Sequence, residues 1–333
     1  MFDKKVTLWP TVIVFAGALL IGTGVARAQV DPKAPEIDGG MLTYSKGQPV
    51  LPVYEGWHPN QDGTIDLWFG YLNQNYEEET DVPVGPNNNI GGKWGPDAGQ
   101  PTHFLPRNNR WVFKIRVPGD FGKSEVVWTL TSHGKTYRTY ATLIPGYVHD
   151  DMGIQREYFG TPPATGNQAP EINISGDNHR SAKVGQPIML TVKVTDDGYP
   201  RVSKARAGGA APAANAARAG NPNICGADTS PQNCGAPNEG AGNLFSVQGL
   251  RMGCFVYRGS SAPVAFEPPQ PKMWEDHRGG SPWATGYTLP PIPKDNTWEI
   301  QTKFDEPGNY TVRCLAHDGL LTTPADVTFT VSK

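Results

Sequence analysis

Apolar and polar side chains alternate at every second position, and this constrains the chain more than any other feature. In Thr64–Leu72, Ile65, Leu67, Phe69 and Tyr71 share one face, while Thr64, Asp66 and Trp68 take the other. In Trp111–Val117, Trp111, Phe113, Ile115 and Val117 are set against Val112, Lys114 and Arg116. Val126, Trp128 and Leu130 repeat the pattern. A His133-Gly134 turn then leads into Lys135–Leu143, which reads as a hairpin. A period of two belongs to antiparallel strands with one buried and one wet face. Short strands divided by 39 glycines and 32 prolines, with almost no helical periodicity, predict an all-β chain. The first set of strands predicts a β-sandwich over residues 45–145.

A second series follows a Pro/Gly/polar linker, 146–170, whose densest part is GTPPATGNQAP. Here Ile172 and Ile174 alternate, as do Ile188, Leu190, Val192 and Val194, then Met252, Cys254 and Val256. Trp298, Ile300 and Phe304 continue the series, followed by Tyr310, Val312, Cys314 and Ala316, and last Val327, Phe329 and Val331. This is close to the strand count of an immunoglobulin-like sandwich, placed at 171–333. Residues 198–245 interrupt it with an Ala/Gly/Asn/Pro-rich stretch holding few large apolar side chains. Such a composition buries too little surface to offset the entropy of ordering, so a flexible B–C insertion is expected. Residues 259–296, rich in proline and carrying Trp274 and Trp283, read as a surface loop.

The stretches APEINISGDNHRSAKVGQPIMLTVKVTDDG, FDEPGNYTVRCLAHDG and ADVTFTV carry a family likeness. Over about 169–333 the chain resembles a PKD-type or cadherin-like Ig domain of bacterial surface proteins. The resemblance implies a turn at Pro307-Gly308, a G-x-Y-x-V penultimate strand and a tyrosine corner at Tyr310. It also implies an Asp-Gly turn into the last strand. It speaks for a fold and not for an activity. The whole chain is similar to a group of secreted bacterial proteins with an N-terminal β domain, which implies no particular chemistry.

The first 28 residues read as a secretory signal peptide. Lys4 and Lys5 precede an apolar run from Val6 to Val25, and Ala26-Arg27-Ala28 gives an A-x-A site. The run is nearly long enough for an uncleaved anchor, which is the alternative. With cleavage, 29–44 becomes an N-terminal extension, the mature chain has no membrane segment, and its place is periplasmic or at the cell surface. A formal charge of −3 gives no footprint for nucleic acid.

Several residues invite a chemical reading. Trp57, Trp68 and Trp94 find no clear inward place, and exposed tryptophans form platforms for sugars. In residues 73–100, Glu77, Glu78, Glu79 and Asp81 precede three asparagines, a set fit for Ca²⁺ or for a solvated turn. His103, Arg107 and Arg110 stand at either a ligand lip or a rigid strand entry. Ig topology brings the B–C and F–G loops to one end, so Asp196 and Asp197 come near Asp318. Three carboxylates at one rim suit Ca²⁺, and Asp-Gly pairs also simply form turns.

The four cysteines all lie in the second half, and export permits disulfides. Cys225 and Cys234 are read as a tie within the insertion. Cys314 and His317 stand three apart, with Asp318 beside them. A copper site would need a second histidine, with His179 and His277 available, and usually an axial methionine, which is lacking after His317. The preferred reading pairs Cys314 with Cys254, because strands C and F are sheet neighbours, and leaves His317 at the surface.

No G-x-S-x-G elbow, H-E-x-x-H helix, phosphate loop or dinucleotide fingerprint occurs. The sequence therefore points to a non-catalytic exported binding, adhesion or scaffold protein with no obligatory cofactor. Its partner would be a protein or polysaccharide at the cell surface. The alternatives are a carbohydrate-binding accessory protein and a Ca- or Cu-binding periplasmic protein.

Overall fold

A computed structural model describes residues 35–38, 41–150, 154, 166–199, 249–274, 276 and 289–333. The expected signal peptide, the insertion beyond Tyr199 and the Cys225–Cys234 tie lie outside the described residues. The described chain is all-β and builds two β-sandwiches.

The strands of the first half are β1 (Pro35–Asp38), β2 (Met41–Tyr44), β3 (Val50–Pro59), β4 (Ile65–Asn73), β5 (Thr80–Asp81), β6 (Asn88–Ile90), β7 (His103–Phe104), β8 (Arg107–Val117), β9 (Val126–Ser132) and β10 (Lys135–Ala141). Strands β1 and β2 pair as a hairpin within the expected N-terminal extension. One sheet runs β3-β4-β8 and the other β10-β9-β6, with β5 and β7 pairing separately. Between the sheets lie Leu67, Phe69, Phe113, Ile115, Val126, Trp128 and Leu130, all buried as the alternation requires. Trp128 meets Phe69 and Phe113 edge to face, at centroid distances of 6.2 and 5.0 Å. At the β9–β10 turn His133 and Gly134 both have positive φ, 46° and 71°, the conformation of a two-residue hairpin.

The expected open loop 73–100 contains β5 and β6. The reason is Asn88, which is fully buried. Its Nδ2 donates to the carbonyls of Val82 and Pro101, and its Oδ1 accepts the Trp128 indole N–H at 2.9 Å. A buried asparagine with both ends satisfied pins a segment that lacks apolar periodicity.

The second half holds β11 (Glu171–Ile174), β12 (His179–Lys183), β13 (Ile188–Thr195), β14 (Arg251–Arg258), β15 (Val264–Glu267), β16 (Thr297–Phe304), β17 (Gly308–His317) and β18 (Thr322–Ser332). The sheets run β11-β13-β16-β15 and β12-β18-β17-β14. This is the A-B-E-D and A′-G-F-C order of an immunoglobulin-like sandwich, with β12 parallel to β18. Leu190, Val192, Ile300, Phe304, Val312 and Phe329 fill its core. Tyr310 Oη donates to the Glu306 carbonyl at 3.1 Å, so the tyrosine corner is present. The loop expected at 259–296 contributes β15, an edge strand on β16.

Cys254 and Cys314 are opposite one another on β14 and β17 and form a disulfide, both buried. That bond excludes Cys314 as a copper thiolate, because its sulfur is already spent. His317 is not at the surface. It is 1% exposed at the end of β17, and burial, with Arg251 nearby, drives its pKa well down. The Asp318-Gly319 turn that follows is itself buried at Asp318, so the strand ends inside the protein.

Candidate functional site

Both sandwiches belong to one unit spanning Lys33–Lys333. The outer face of β3-β4-β8 was expected to be wet. Instead it looks across a cleft at the outer face of β14-β17-β18. The cleft measures about 1010 Å³. One wall carries Trp68, Trp111 and Lys114, and the opposite wall carries Phe255, Thr311 and Thr328. Asp66, polar and outward in the alternation, is only 1% exposed. Lys114 and Arg116 hold its two oxygens at 2.6 and 2.8 Å. Burial alone would raise the Asp66 pKa, but these hydrogen bonds outweigh it and bring the group to about 2.

Side chains lock the two walls together. Arg313 on β17 forks onto Asp326 on β18 at 2.7 and 2.8 Å. A third guanidinium N–H donates to the Val112 carbonyl of β8 at 2.6 Å, across the joint. The same guanidinium lies 3.6 Å from the centre of the Tyr257 ring, and Tyr257 Oη donates to the Gly99 carbonyl at 2.7 Å. Burial pushes the Tyr257 hydroxyl up to about 12 against the opposing pull of Arg313. Arg258 forks onto Asp97 at 2.6 and 3.0 Å and also donates to the Gln100 carbonyl. A planar, always charged group suits such joints, since one side chain satisfies several acceptors in fixed geometry.

Two neighbouring irregularities shape the first wall. β3 bulges between Tyr54 and Gly56, and the β4–β8 register shifts between Phe69 and Tyr71. Glu55 falls in the bulge and folds over Gly70, where an added Cβ would lie 2.5 Å from both Glu55 Oε1 and the Asn109 carbonyl. Arg110 then pairs with Glu55 at 3.2 Å. Burial raises the Glu55 pKa, and Arg110 only partly offsets this. Trp111 has φ of 55° and meets Trp68 edge to face at 6.3 Å. It was expected inside with Phe113. The irregularity turns it to the cleft instead, since three residues, Arg110, Trp111 and Val112, oppose the single Gly70 and Trp111 takes a left-handed conformation among them.

The three tryptophans singled out by sequence are not gathered. Trp68 lines the cleft. Trp57 packs against the first core and donates its indole N–H to the Ile144 carbonyl at 2.9 Å. Trp94 packs edge-on to Phe121 at 5.4 Å. The partner of Trp68 is Trp111, which strict alternation assigns to the core.

His103 is a second cluster. It is 2% exposed, with Nδ1 2.6 Å from Asp81 and Nε2 2.8 Å from Glu79. Burial would lower its pKa, but the two carboxylates outweigh this and raise it. Ser260 Oγ donates to the other oxygen of Asp81 at 2.6 Å. Serine, carboxylate and imidazole are therefore all present, in the wrong order for catalysis. A nucleophile must give its proton to the ring, and here the carboxylate stands between them. The cluster is a clamp joining β5, β7 and the loop after β14. Arg107 turns away from it, lying over the Tyr76 ring at 4.0 Å.

The expected carboxylate rim is reassembled in part. Asn167 Nδ2 donates to Asp318 Oδ2 at 2.8 Å, and the Gln168 backbone N–H donates to Asp197 Oδ2 at 2.8 Å. Residues 167–168 thus join the two corners. Asp197 turns outward, and its other oxygen takes the Tyr199 N–H. Asp196 Oδ1 and Asn167 Oδ1 are buried with no hydrogen-bond donor. Burial raises the Asp196 pKa, and the Asp318 and Asp197 charges raise it further. Among the described residues, no three His, Cys, Asp or Glu side chains converge as a metal ion requires. Likewise, among the described residues, no helix is long and apolar enough to cross a membrane.

No known protein family and no curated protein matches the sequence. Among solved structures, the chain is similar to domains 4 and 5 of the S-layer protein SbsC, with 8% identity and a TM-score of 0.21 over 63% of this chain and 66% of that one. It spans only 28% of the longer SbsC chain, residues 31–844. Others are the D00-D0 domain of intimin, with 10% identity and a TM-score of 0.21 over 85% of this chain and 100% of that one, and fibronectin(III)-like modules of Clostridium thermocellum CbhA, with 9% identity and a TM-score of 0.20 over 85% and 94%. Overlaps this small say nothing about function, and the fold rests on the strand pairing itself.

Proposed function

We propose that this chain is an exported, non-catalytic binding protein of the bacterial cell envelope. On this reading residues 1–28 are removed on export, and the sandwiches at 45–145 and 171–333 act as one body. The partner, a protein or a polysaccharide at the cell surface, is held in the cleft between them. One observation carries the reading: a cleft of about 1010 Å³ whose walls are fixed to each other by Arg313, Arg258 and Tyr257. Concave sites between rigid units are the common seats of ligands, and walls fixed in advance lower the entropy cost of binding. The titratable groups around it favour binding over turnover. Glu55, Asp66 and Asp326 are each held by a cation. The test is co-sedimentation of the mature protein with membrane, wall and surface fractions of the source cell, beside Thr311→Arg, which fills the cleft. Retention of the native chain and loss in the variant is the expected result. Equal retention of both, or none of either, overturns the reading.

A second reading is favoured by the two orphaned oxygens. Asn167 Oδ1 and Asp196 Oδ1 are hard oxygen donors of the kind Ca²⁺ takes. Asp197 and Asp318, each with both oxygens already accepting hydrogen bonds, are not part of this set. Thermal unfolding with added Ca²⁺ or with chelator tests it. A midpoint that rises with Ca²⁺ in the native chain but not in Asp196→Asn supports the site, and an unmoved midpoint removes it.

A further inference from the structure

We infer that the interdomain cleft takes an uncharged oligosaccharide, seated against Trp68 and Trp111. This rests on the reading of the cleft as the ligand seat and names the class of ligand. Size comes first. A volume of about 1010 Å³ stands at the upper end for small-molecule sites, more than one sugar ring needs.

Charge comes second. Four cations line the cleft, and each already holds a carboxylate. Lys114 is 2.6 Å from Asp66, Arg110 3.2 Å from Glu55, Arg258 2.6 Å from Asp97 and Arg313 2.7 Å from Asp326. An anionic ligand would have to displace one of these partners, and a cationic ligand one of the cations. Asp66 and Glu55 are buried, so drawing the cation off either leaves a carboxylate uncompensated, which is costly. A neutral polyhydroxylated chain meets no such cost. It finds polar groups held in place and can bond to their unused edges.

Aromatic geometry comes third. The Trp68 and Trp111 rings are partly exposed and stand at 76° to each other. A pyranose lying on one ring by its C–H face presents its rim to the other. Large, stiff rings with one polar edge give contact area at little entropy cost. The opposite wall adds the Thr311 and Thr328 hydroxyls.

The test is calorimetric titration of the mature protein with size-matched short oligosaccharides, neutral (glucan, xylan, mannan) and acidic (uronate). Native protein is compared with Trp111→Ala, Trp68→Phe and Thr311→Glu, each checked for an unchanged β spectrum. Binding of a neutral member, weakened by at least about tenfold in Trp111→Ala, is the expected result. Its affinity should stay flat from about 50 to about 500 mM salt, where a charged ligand would lose affinity to screening. Binding of acidic members alone, with steep salt dependence, overturns the ligand class and leaves the cleft standing. Neutral binding that none of the three variants changes overturns the cleft itself. Absence of binding by every member overturns the inference, while the envelope-retention experiment still judges the broader reading.

Discussion

Arg313 donates to the main-chain carbonyl of Val112 at 2.6 Å, across 201 positions of sequence. That one bond joins β17 of the second sandwich to β8 of the first, between two residues that line the cleft. The fork onto Asp326 fixes the direction of the guanidinium, and Tyr257 supports its face. Burial alone would depress the Arg313 pKa, yet Tyr257 and Asp326 together raise it, so the charge is held and not merely tolerated.

Replacing Arg313 with Ala should therefore cost about 1.5–3 kcal/mol, the range for hydrogen bonds to a charged group. The partly exposed Asp326, freed to water, keeps the loss below that of a fully buried pair. Arg313→Lys should recover less than half, since an ammonium cannot fork onto Asp326 and reach Val112 together. Urea unfolding measures both. A native-like midpoint for the alanine variant would show that the joint is held elsewhere.

The His103 clamp gives a pH dependence with a definite sign. Its folded pKa is raised above the reference value of 6.5, so its stabilisation is complete below that value and fades as pH rises through the folded pKa. Asp81 is shifted the other way. Its pKa is lowered from 3.8, so its contribution is present above that value and fades as pH falls through the folded pKa. The stability gap between native protein and His103→Gln should be widest between pH 3.8 and 6.5 and narrow on the alkaline side. Thermal unfolding across pH reads it directly. A gap that widens with rising pH would mean that the ring is neutral in the clamp.

Much of the fold was legible because one physical rule governs both cores. Every position read as inward on β4, β9 and β17 is buried, and opposed faces placed Cys254 against Cys314. The same rule failed where neighbouring side chains close over an outward group. Asp66 obeys the alternation and is nonetheless buried, with Lys114 and Arg116 of the adjacent strand on its two oxygens. His317 failed similarly, since β17 runs inward to its last residue. Trp111 failed for a local reason, a break in register where three residues of β8 oppose the single Gly70 of β4. Gly70 and the run Asn108-Asn109-Arg110 were the available signals, since glycine and repeated asparagine within strands mark such breaks. Asn88 gave no periodic signal, because its burial is purchased by hydrogen bonds and not by apolar contact.

Gly70 supplies a sharp test of that bulge. Gly70→Ala places a methyl group 2.5 Å from the Asn109 carbonyl and from Glu55 Oε1. The carboxylate can swing aside, but the main-chain carbonyl belongs to β8 and cannot. Overpacking of this kind costs about 1–3 kcal/mol. The same displacement should move Trp111, so near-ultraviolet dichroism should change along with the unfolding midpoint. A variant unchanged in both would mean that the strand accommodates the methyl and that the bulge is not needed to aim Trp111.

The Cys254–Cys314 bridge closes a loop of 60 residues that contains the proline-rich segment and β15 and β16. Cross-linking limits the unfolded chain more than the folded one, and for native bridges the loss on removal is typically about 2–4 kcal/mol. Cys254→Ala/Cys314→Ala should show that loss in urea, with a steeper transition because the unlinked unfolded chain exposes more surface. The two sulfurs lie inside a core already filled by Val312 and Val256, so the small cavity left behind adds to the cost. The native protein in strong reductant should approach the same midpoint once unfolding exposes the bond. If the double variant unfolds at the native midpoint, β14 is held by its main-chain pairing with β17 alone, and the cross-link contributes nothing to this wall of the cleft.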